Sequence, residues 1–244
     1  MVAPVAAKVT AVKPARRQAK RPAERVTAKA SPRRKRDPQG MQRKILDAAT
    51  EEFANHGYGG ARVERISRRA HTVDRMLYYY FGSKEQLFRA VLEGAYERLG
   101  RAEEQLSLAT TPPREALREL IAFTWGYYCD HPEFIRLLNS ENQHRGQHLK
   151  KSARMSQLSF PLLSTLRDLL ERGAREGQFR SGVDPVQIYI TIAALGYFYL
   201  SNRYTLSRFL DRDLMTQENR GAWLAHITEV VVNYITTQGP TARS

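Results

Sequence analysis

Residues 63–86 read VERISRRAHTVDRMLYYYFGSKEQ, and this stretch decides the fold. Val63, Ile66 and Ala70 have the spacing of the buried face of a short helix. A three-residue break over 71–73 follows, and a second short helix is expected over 74–80. Two short helices joined by a tight break, after an earlier helix, are typical of a helix-turn-helix, whose last helix enters the major groove of DNA. We therefore predict a tri-helical helix-turn-helix.

The second short helix is expected to have one apolar face and one polar face. Leu77 and Phe81, four residues apart, should face the core. The side chains that then point away from the core, or lie at its edge, are Asp74, Arg75, Tyr78 and Tyr79. Residues 60–84 hold six basic and two acidic residues, a local excess of +4. This excess favours docking on DNA phosphates.

The sequence around this stretch has helical periodicity and no sustained alternation typical of strands. On its N-terminal side, Asp37 and Pro38 indicate a helix start, and Gly57 is expected to stop that helix in a left-handed conformation. On its C-terminal side, the run from Ser83 to Gln86 is a capping-box pattern that opens a longer helix.

Further amphipathic helices are predicted beyond residue 113, among them 147–172 with a kink at Pro161, 185–200 and 219–236. The predicted class is all-α. A helix-turn-helix domain over 38–83 should precede a larger helical domain over 84–240.

Charge is concentrated at the N-terminus. The 244-residue chain has a formal net charge of +14, and twelve of its 39 Lys and Arg residues lie within residues 1–37. Only Glu24 and Asp37 oppose them, and no aromatic residue is present there. We expect a disordered basic tail, because the segment cannot bury enough apolar surface to offset its ordering entropy. It would add salt-sensitive attraction to phosphates. The alternatives are a solvated leader or a true start nearer Met41.

The composition argues against several classes of protein. Cys129 is the single cysteine, which excludes a disulfide framework and a Cys-rich zinc module. The longest apolar run, 188–200, has 13 residues, fewer than the roughly 18 that a membrane span needs. Walker A, G-x-S-x-G and H-E-x-x-H motifs are missing. We expect a cytoplasmic protein with no membrane contact, no metal, no cofactor and no enzymatic activity.

In one ordered set of residues the chain resembles the TetR/AcrR family of bacterial transcriptional regulators, over about 45 residues. The matching residues are Ile45 to Ala49, Phe53, Gly57, Tyr58, Val63, Ile66, Ala70, Leu77, Tyr78, Phe81 and Ser83 to Glu85. The resemblance implies that the N-terminal helices bind operator DNA as a homodimer. It also implies a helical body that encloses a small-molecule inducer and a dimer interface built from the last two helices.

The chain departs from the family pattern around the turn. His71 stands where the family usually has glycine, and histidine tolerates positive φ better than most residues. Val73 replaces the usual serine cap of the recognition helix, so we expect Thr72 or Asp74 to cap that helix. These changes make the operator sequence unpredictable by analogy.

The DNA-binding candidates have different expected roles. Arg75 should read bases, because a guanidinium can pair with O6 and N7 of guanine; the alternative is a phosphate contact only. Tyr79 is expected to contact a phosphate or a thymine methyl, or to be an ordinary half-exposed aromatic residue. Phosphate contacts are expected for Tyr78, Arg62 and Lys84, the last at a capped helix N-terminus. The full set is Arg62, Thr72, Asp74, Arg75, Tyr78, Tyr79 and Lys84.

An effector pocket is predicted around the polar segment 139–148, which lies between apolar helices. The effector-binding candidates are Trp125, Glu141, Asn142, Arg145 and Tyr197, with Phe160 and Tyr189 as further aromatic walls. A solvated helix connection is the alternative interpretation. This segment and residues 196–199 are similar to the subgroup that controls catabolism of nitrogen heterocycles such as nicotinate or pyrimidines. The similarity implies a planar aromatic or carboxylated inducer.

The sequence thus predicts a sequence-specific DNA-binding transcriptional regulator, a ligand-released repressor of a catabolic or transport operon. A nonspecific DNA-coating protein is the main alternative, because the basic tail alone would bind DNA. Deletion of residues 1–36 distinguishes the two, since only a regulator would keep sequence-specific binding at moderate salt.

Overall fold

The structure, a computed structural model, describes residues 37–236, and within this range it leaves out the side chains of 156–160. These residues form ten α-helices and one short 3-10 helix, with no strand among them. The α-helices are α1 (Pro38–Gly60), α2 (Val63–Arg69), α3 (Asp74–Phe81), α4 (Lys84–Glu103), α5 (Pro113–Asp130), α6 (Pro132–Gln143), α7 (Met155–Arg175), α8 (Pro185–Ser201), α9 (Arg203–Phe209) and α10 (Gln217–Thr236). The predicted all-α class is confirmed.

Two sequence predictions concern parts of the chain outside the described residues. They are the basic tail, apart from Asp37, and the side chain of Phe160. We call α1–α3 the head and α4–α10 the body. None of the described helices combines the length and the apolar content that crossing a membrane requires.

Helix α1 begins where the sequence predicts, but the predicted stop at Gly57 is wrong, because the helix continues across a kink to Gly60. The Asp37 carboxylate accepts the N–H of Gly40 at 2.9 Å, and Pro38 occupies the first helical position. Near the other end, Gly57 has a φ of +64°, so the chain changes direction there. The next residue, Tyr58, donates its N–H to the Ser140 hydroxyl at 2.9 Å, which attaches this end of α1 to α6.

The turn between α2 and α3 is a Schellman motif. The N–H of Thr72 bonds to the Ser67 carbonyl at 2.9 Å, and the N–H of His71 bonds to the Arg68 carbonyl at 3.2 Å. His71 has a φ of +52°, so histidine does adopt the left-handed conformation expected at this position.

The predicted cap of α3 is wrong. Val73 is the N-cap residue, and neither Thr72 nor Asp74 makes a side-chain capping bond. Asp74 is already the first helical residue, one position too late to cap. The start of the helix is closed instead by a backbone bond from the N–H of Met76 to the Val73 carbonyl, at 2.9 Å.

One apolar core runs from the head into the body. Ile66 of α2 and Leu77 of α3 are fully buried, as are Phe53 of α1 and Phe88 of α4. The rings of Phe53 and Phe88 lie 4.8 Å apart in a tilted arrangement. Helix α4 thus belongs to the core of the head at its N-terminal end, and it continues into the body, where it packs on α7.

Aromatic rings join the helices of the body. Trp125 on α5 meets Tyr199 on α8 edge to face at 5.3 Å, and Tyr199 stacks on Trp223 of α10 at 4.9 Å. The Tyr199 hydroxyl donates to the Leu214 carbonyl at 2.8 Å, so its polar end is satisfied.

The long helix predicted over 147–172 is wrong at its start. Arg145 and Gly146 both have positive φ, +58° and +68°, and this breaks the chain after α6. A short 3-10 helix, Leu149–Lys151, follows, and α7 begins only at Met155 with Pro161 inside it. Helix α9 was not predicted, and α10 begins two residues earlier than expected.

Candidate nucleic-acid interface

Helix α3 buries one side of itself and leaves its polar side open. Leu77 is fully buried, whereas Tyr78 is 48% exposed and Tyr79 is 77% exposed. Arg75 is also exposed, and no ion pair holds it among the described residues. The helix therefore presents one guanidinium with two phenol rings, groups that hydrogen-bond base edges and phosphates.

The remaining DNA-binding candidates surround this helix. Thr72 and Asp74 are half-buried at its start. Arg62 is the N-cap residue of α2, with an exposed side chain. Lys84, half-buried, opens α4 immediately after the Gly82-Ser83 break.

The positive charge of the head is smaller than the sequence count indicates. Arg65 pairs with Glu52 at 2.6 Å, and Arg69 pairs with Glu51. Both carboxylates belong to α1, outside the stretch in which the excess of +4 was counted. Within residues 60–84, the exposed arginines without an acidic partner among the described residues are Arg62, Arg68 and Arg75. Of these three, sequence reasoning did not single out Arg68, which its position in the last turn of α2 brings close to the turn.

Glu52 attaches the start of α2 to α1. Its Oε1 accepts the N–H of Arg62 at 2.9 Å and the Nε–H of Arg65 at 2.6 Å. Burial by itself would raise the pKa of the Glu52 carboxyl. The hydrogen bonds from Arg65 and Arg62, with attraction to Arg65 and His56, outweigh burial and hold that pKa below its ordinary value. Ionised Glu52 therefore stabilises the folded head.

We expect Glu52→Gln to lower the free energy of unfolding by about 1 to 3 kcal/mol, because charge-assisted hydrogen bonds are lost from a buried site. The native pKa is depressed, so the stabilisation is present above the unfolded value near 4.5 and disappears as pH falls through the native pKa. Denaturant unfolding at several pH values measures both effects. Glu51→Gln is the matched control, since Glu51 is 61% exposed and should contribute less than about 1 kcal/mol. Equal losses in the two variants would contradict the role of Glu52.

Lys84 lies at the junction of head and body. Its ammonium lies 4.9 Å from the centre of the Tyr58 ring, a cation–π contact. Burial lowers the pKa of Lys84, against the attraction of Glu52 and Glu64. The preceding residue, Ser83, accepts the N–H of Gln86 at 3.1 Å, so the predicted N-cap of α4 is confirmed.

Polar and aromatic side chains of α6 and its following loop complete this junction. His148, 1% exposed, packs its ring 4.4 Å from the Tyr58 ring and 4.9 Å from the Phe88 ring. The Glu141 carboxylate lies 2.6 Å from Nδ1 of His148, within hydrogen-bonding distance. It also accepts the backbone N–H groups of His148 and Leu149 at 2.8 and 2.9 Å. Glu141 thus fixes the loop that touches both α1 and α4.

The five effector-binding candidates do not converge on one cavity. Trp125 is buried in the aromatic stack, and Glu141 is buried under its own loop. The Tyr197 hydroxyl donates to Asn139 in a short hydrogen bond that ties α8 to α6. Asn142 and Arg145 are exposed. The polar side chains of Glu141 and Tyr197 are therefore already engaged within the protein.

A cavity of about 520 Å³ lies elsewhere in the body, between α4 and α7. Glu103, in the last turn of α4, lines it, and sequence reasoning did not single out this residue. A signal was available, because Tyr96, Leu99 and Glu103 follow one another at helical spacing on an otherwise apolar face.

Comparison with known proteins accounts for both parts of the chain. Residues 45–91 match the model described as bacterial regulatory proteins, tetR family, and residues 113–231 match the tetracyclin repressor-like C-terminal domain. The HTH-type transcriptional repressor NicS of Pseudomonas putida is 45% identical over 188 residues, which cover 77% of this chain and 89% of that protein. The chain belongs to the TetR family.

Two further proteins are similar to this chain, one in sequence and one in fold. The HTH-type transcriptional repressor SCO4008 of Streptomyces coelicolor is 33% identical over 57% of this chain and 69% of its own length. The structure of FadR from Bacillus subtilis in complex with stearoyl-CoA has the same fold, with a TM-score of 0.63 at 18% identity over 80% of this chain and 99% of that one.

The sequence predictions of family and general function are confirmed. The protein is a DNA-binding transcriptional repressor of the TetR family, and all seven DNA-binding candidates lie inside the N-terminal match.

Proposed function

We propose that this protein acts as a cytoplasmic homodimer that represses a catabolic or transport operon until a small nitrogen heterocycle releases it. The observation that carries the proposal is the open face of α3, where Arg75, Tyr78 and Tyr79 are exposed above a buried Leu77. A helix anchored on one side with polar groups on the other has the form that the major groove admits.

The DNA contacts divide into base reading and phosphate binding. We assign base reading to Arg75, since it is exposed and free of ion pairs among the described residues. Tyr79 joins it through a phosphate or a thymine methyl, and Thr72 and Asp74 flank the helix start. Phosphate contacts come from Tyr78, from Arg62 at the start of α2 and from Lys84 at the start of α4.

The proposed dimer interface is an apolar stripe on α8 and α10. Val186, Ile190 and Phe198 of α8 recur at intervals of four or eight residues and are 44, 57 and 58% exposed. Val230 and Tyr234 of α10 add to them at 41 and 49%. The opposite side of α8 is buried, so this helix is apolar on both faces, as a helix between two subunits must be.

The chemical class of the inducer is proposed from resemblance, and its binding site is proposed from the structure of the body. The resemblance of residues 139–148 and 196–199 to repressors of nitrogen-heterocycle catabolism supports a planar aromatic or carboxylated compound of that kind. Because Glu141 and Tyr197 are already bonded within the chain, we place the ligand in the cavity beside α4. Helix α4 packs on α1, α3 and α7, and can thus move the head when the body changes. Release from 99% to 1% occupancy requires roughly 10⁴-fold preference of the ligand for the released state.

Footprinting of the DNA beside the protein's own gene tests this function. We expect two protected half-sites about one DNA turn apart, related by two-fold symmetry. Ile190→Asp should give monomers in light scattering and lower operator affinity by more than about 100-fold, because two buried carboxylates would face each other without partners. Gln187→Asp, at an exposed polar position of the same helix, is the control and should remain dimeric. A footprint without a protected palindrome, or an Ile190→Asp variant that is still dimeric, would overturn the proposal.

A further inference from the structure

The cavity between α4 and α7 has features that define the chemistry of its ligand. Its volume of about 520 Å³ lies within the usual range for small-molecule sites. A second space of about 70 Å³ adjoins it, and Gly100, Glu103 and Leu162 line both. The smaller space also contacts Tyr96 and Tyr189. Glu103 therefore stands between a wide chamber and a narrow aromatic slot.

Glu103 is half-buried, and no described residue forms a hydrogen bond or an ion pair with its carboxyl group. Burial raises the pKa of its carboxyl to about 7. The nearby phenols stay neutral, because burial raises the pKa of Tyr96 to about 12 and shifts that of Tyr189 in the same direction. The polar groups that line the smaller space are thus the Glu103 carboxyl, which has no partner among the described residues, and the neutral hydroxyls of Tyr96 and Tyr189.

The other charges around the cavity do not supply a cation for Glu103. Glu97 and Arg101 also line the wall. The Arg101 side chain is 76% exposed and pairs with Glu97 at 3.9 Å, and Arg154 is the other partner of Glu97. Glu104 is exposed at the rim. Helix α7 faces the cavity with Pro161, Leu162 and Thr165, and residues 156–160 contain no titratable side chain in the sequence. Among the remaining helices, Tyr189 of α8 lines the smaller space with Glu103, and the negative charge of Glu103 helps to raise the pKa of Tyr127 and Tyr128 of α5.

We infer that this cavity is the effector site and that it selects a flat ligand with a basic or N–H-donating group, which pairs with Glu103, over a carboxylated ligand. The inference rests on the proposed ligand-released repression. A ligand cation supplies the charge and the donors that the Glu103 carboxylate lacks. A ligand carboxylate at the same place would lie beside a second acid, and each group would disfavour ionisation of the other.

The position of Glu103 also gives the ligand a route to the DNA. Glu103 lies in the last turn of α4, and Lys84 and Phe88 lie at the other end of the same helix, in contact with the head. A ligand that binds Glu103 therefore acts on α4, the helix on which α1 and α3 pack.

Three isosteric probes test the inference with the full chain: benzamidine as cation, benzamide as neutral donor and benzoate as anion. Calorimetric titration should rank them benzamidine, benzamide, benzoate, with at least about a tenfold difference between the first and the last. Benzamidine stays protonated near neutral pH, so its affinity should rise about tenfold from pH 6 to pH 8 as Glu103 ionises.

Matched variants locate the effect. Glu103→Gln should reduce the difference between benzamidine and benzoate to less than about threefold, while Glu104→Gln at the rim should preserve it. Gly100→Leu should abolish binding of all three probes, because a Cβ at Gly100 meets no atom within 4 Å and the added side chain would occupy the cavity.

Preferred binding of benzoate, unchanged selectivity in Glu103→Gln, or lack of binding by benzamidine would each overturn the inference. The operator footprint is measured without any probe, so it reports on the proposed DNA-binding function independently. If the footprint shows a protected palindrome but the three probes bind without any difference in affinity, only the ligand assignment is wrong and the proposed DNA-binding function stands.

Discussion

Arg75→Ala is expected to lower affinity for the operator by about 30-fold to 10⁴-fold while changing affinity for random DNA only slightly. A bidentate contact between arginine and guanine contributes about 1 to 3 kcal/mol of discrimination, and a dimer makes it twice. Arg75 is exposed on α3 and is not held by an ion pair among the described residues, so its removal should cost the free protein little. Competition binding with operator and random duplexes, at one fixed salt concentration, measures the ratio of affinities.

Variants of phosphate-binding residues give the contrasting result. Lys84→Ala and Arg62→Ala should weaken binding to operator and random DNA about equally and reduce the salt dependence of binding by about one charge per subunit. The assignment of α3 as the reading helix fails if Arg75→Ala keeps the full ratio between operator and random DNA.

The second large effect concerns stability above neutral pH. Glu103 has a native pKa of about 7 against an ordinary 4.5, so its protonated form is favoured in the folded protein. Its contribution is fully present below pH 4.5 and is lost as pH rises through 7, by about 3 kcal/mol in total. Glu103→Gln should escape this loss and be more stable than the natural protein at pH 8 by up to about 3 kcal/mol.

Denaturant unfolding of both proteins between pH 5 and pH 8 measures the difference directly. The two stability curves should diverge with rising pH, and Glu104→Gln should follow the natural protein. Parallel curves would show that Glu103 is ordinarily hydrated. The pH dependence of Glu52 has the opposite sign. Because its pKa is depressed, its stabilisation is full above about pH 4.5 and is lost as pH falls through the native pKa.

The sequence was informative where structure depends on neighbouring residues. The Asp37 cap, the positive φ of Gly57 and the burial of Leu77 follow from local chemistry and spacing, and all three are present. The capping of α3 was mispredicted because the choice between positions 72, 73 and 74 depends on one residue of register, which composition does not determine.

The sequence was less informative where contacts join distant parts of the chain. Glu141 lies in a polar segment typical of a ligand-binding site, yet its partners are His148 and Leu149. The break at Arg145 and Gly146 brings these two residues back onto it. Glu103 was overlooked for the converse reason. Glu103 becomes half-buried through tertiary packing, which includes that of α7 against α4.

The contact between Tyr58 and Ser140 has a consequence for engineering hybrid sensors. The head shares hydrogen bonds and aromatic packing with α6 and with the loop that Glu141 holds in place. A hybrid that receives a foreign DNA-reading segment will therefore need the matching surface of Ser140, Glu141 and His148 on its sensor. A hybrid made by exchanging everything before α4 would separate residues that pack together. A hybrid in which only the exposed side chains of α3 are replaced would keep the contacts between head and body.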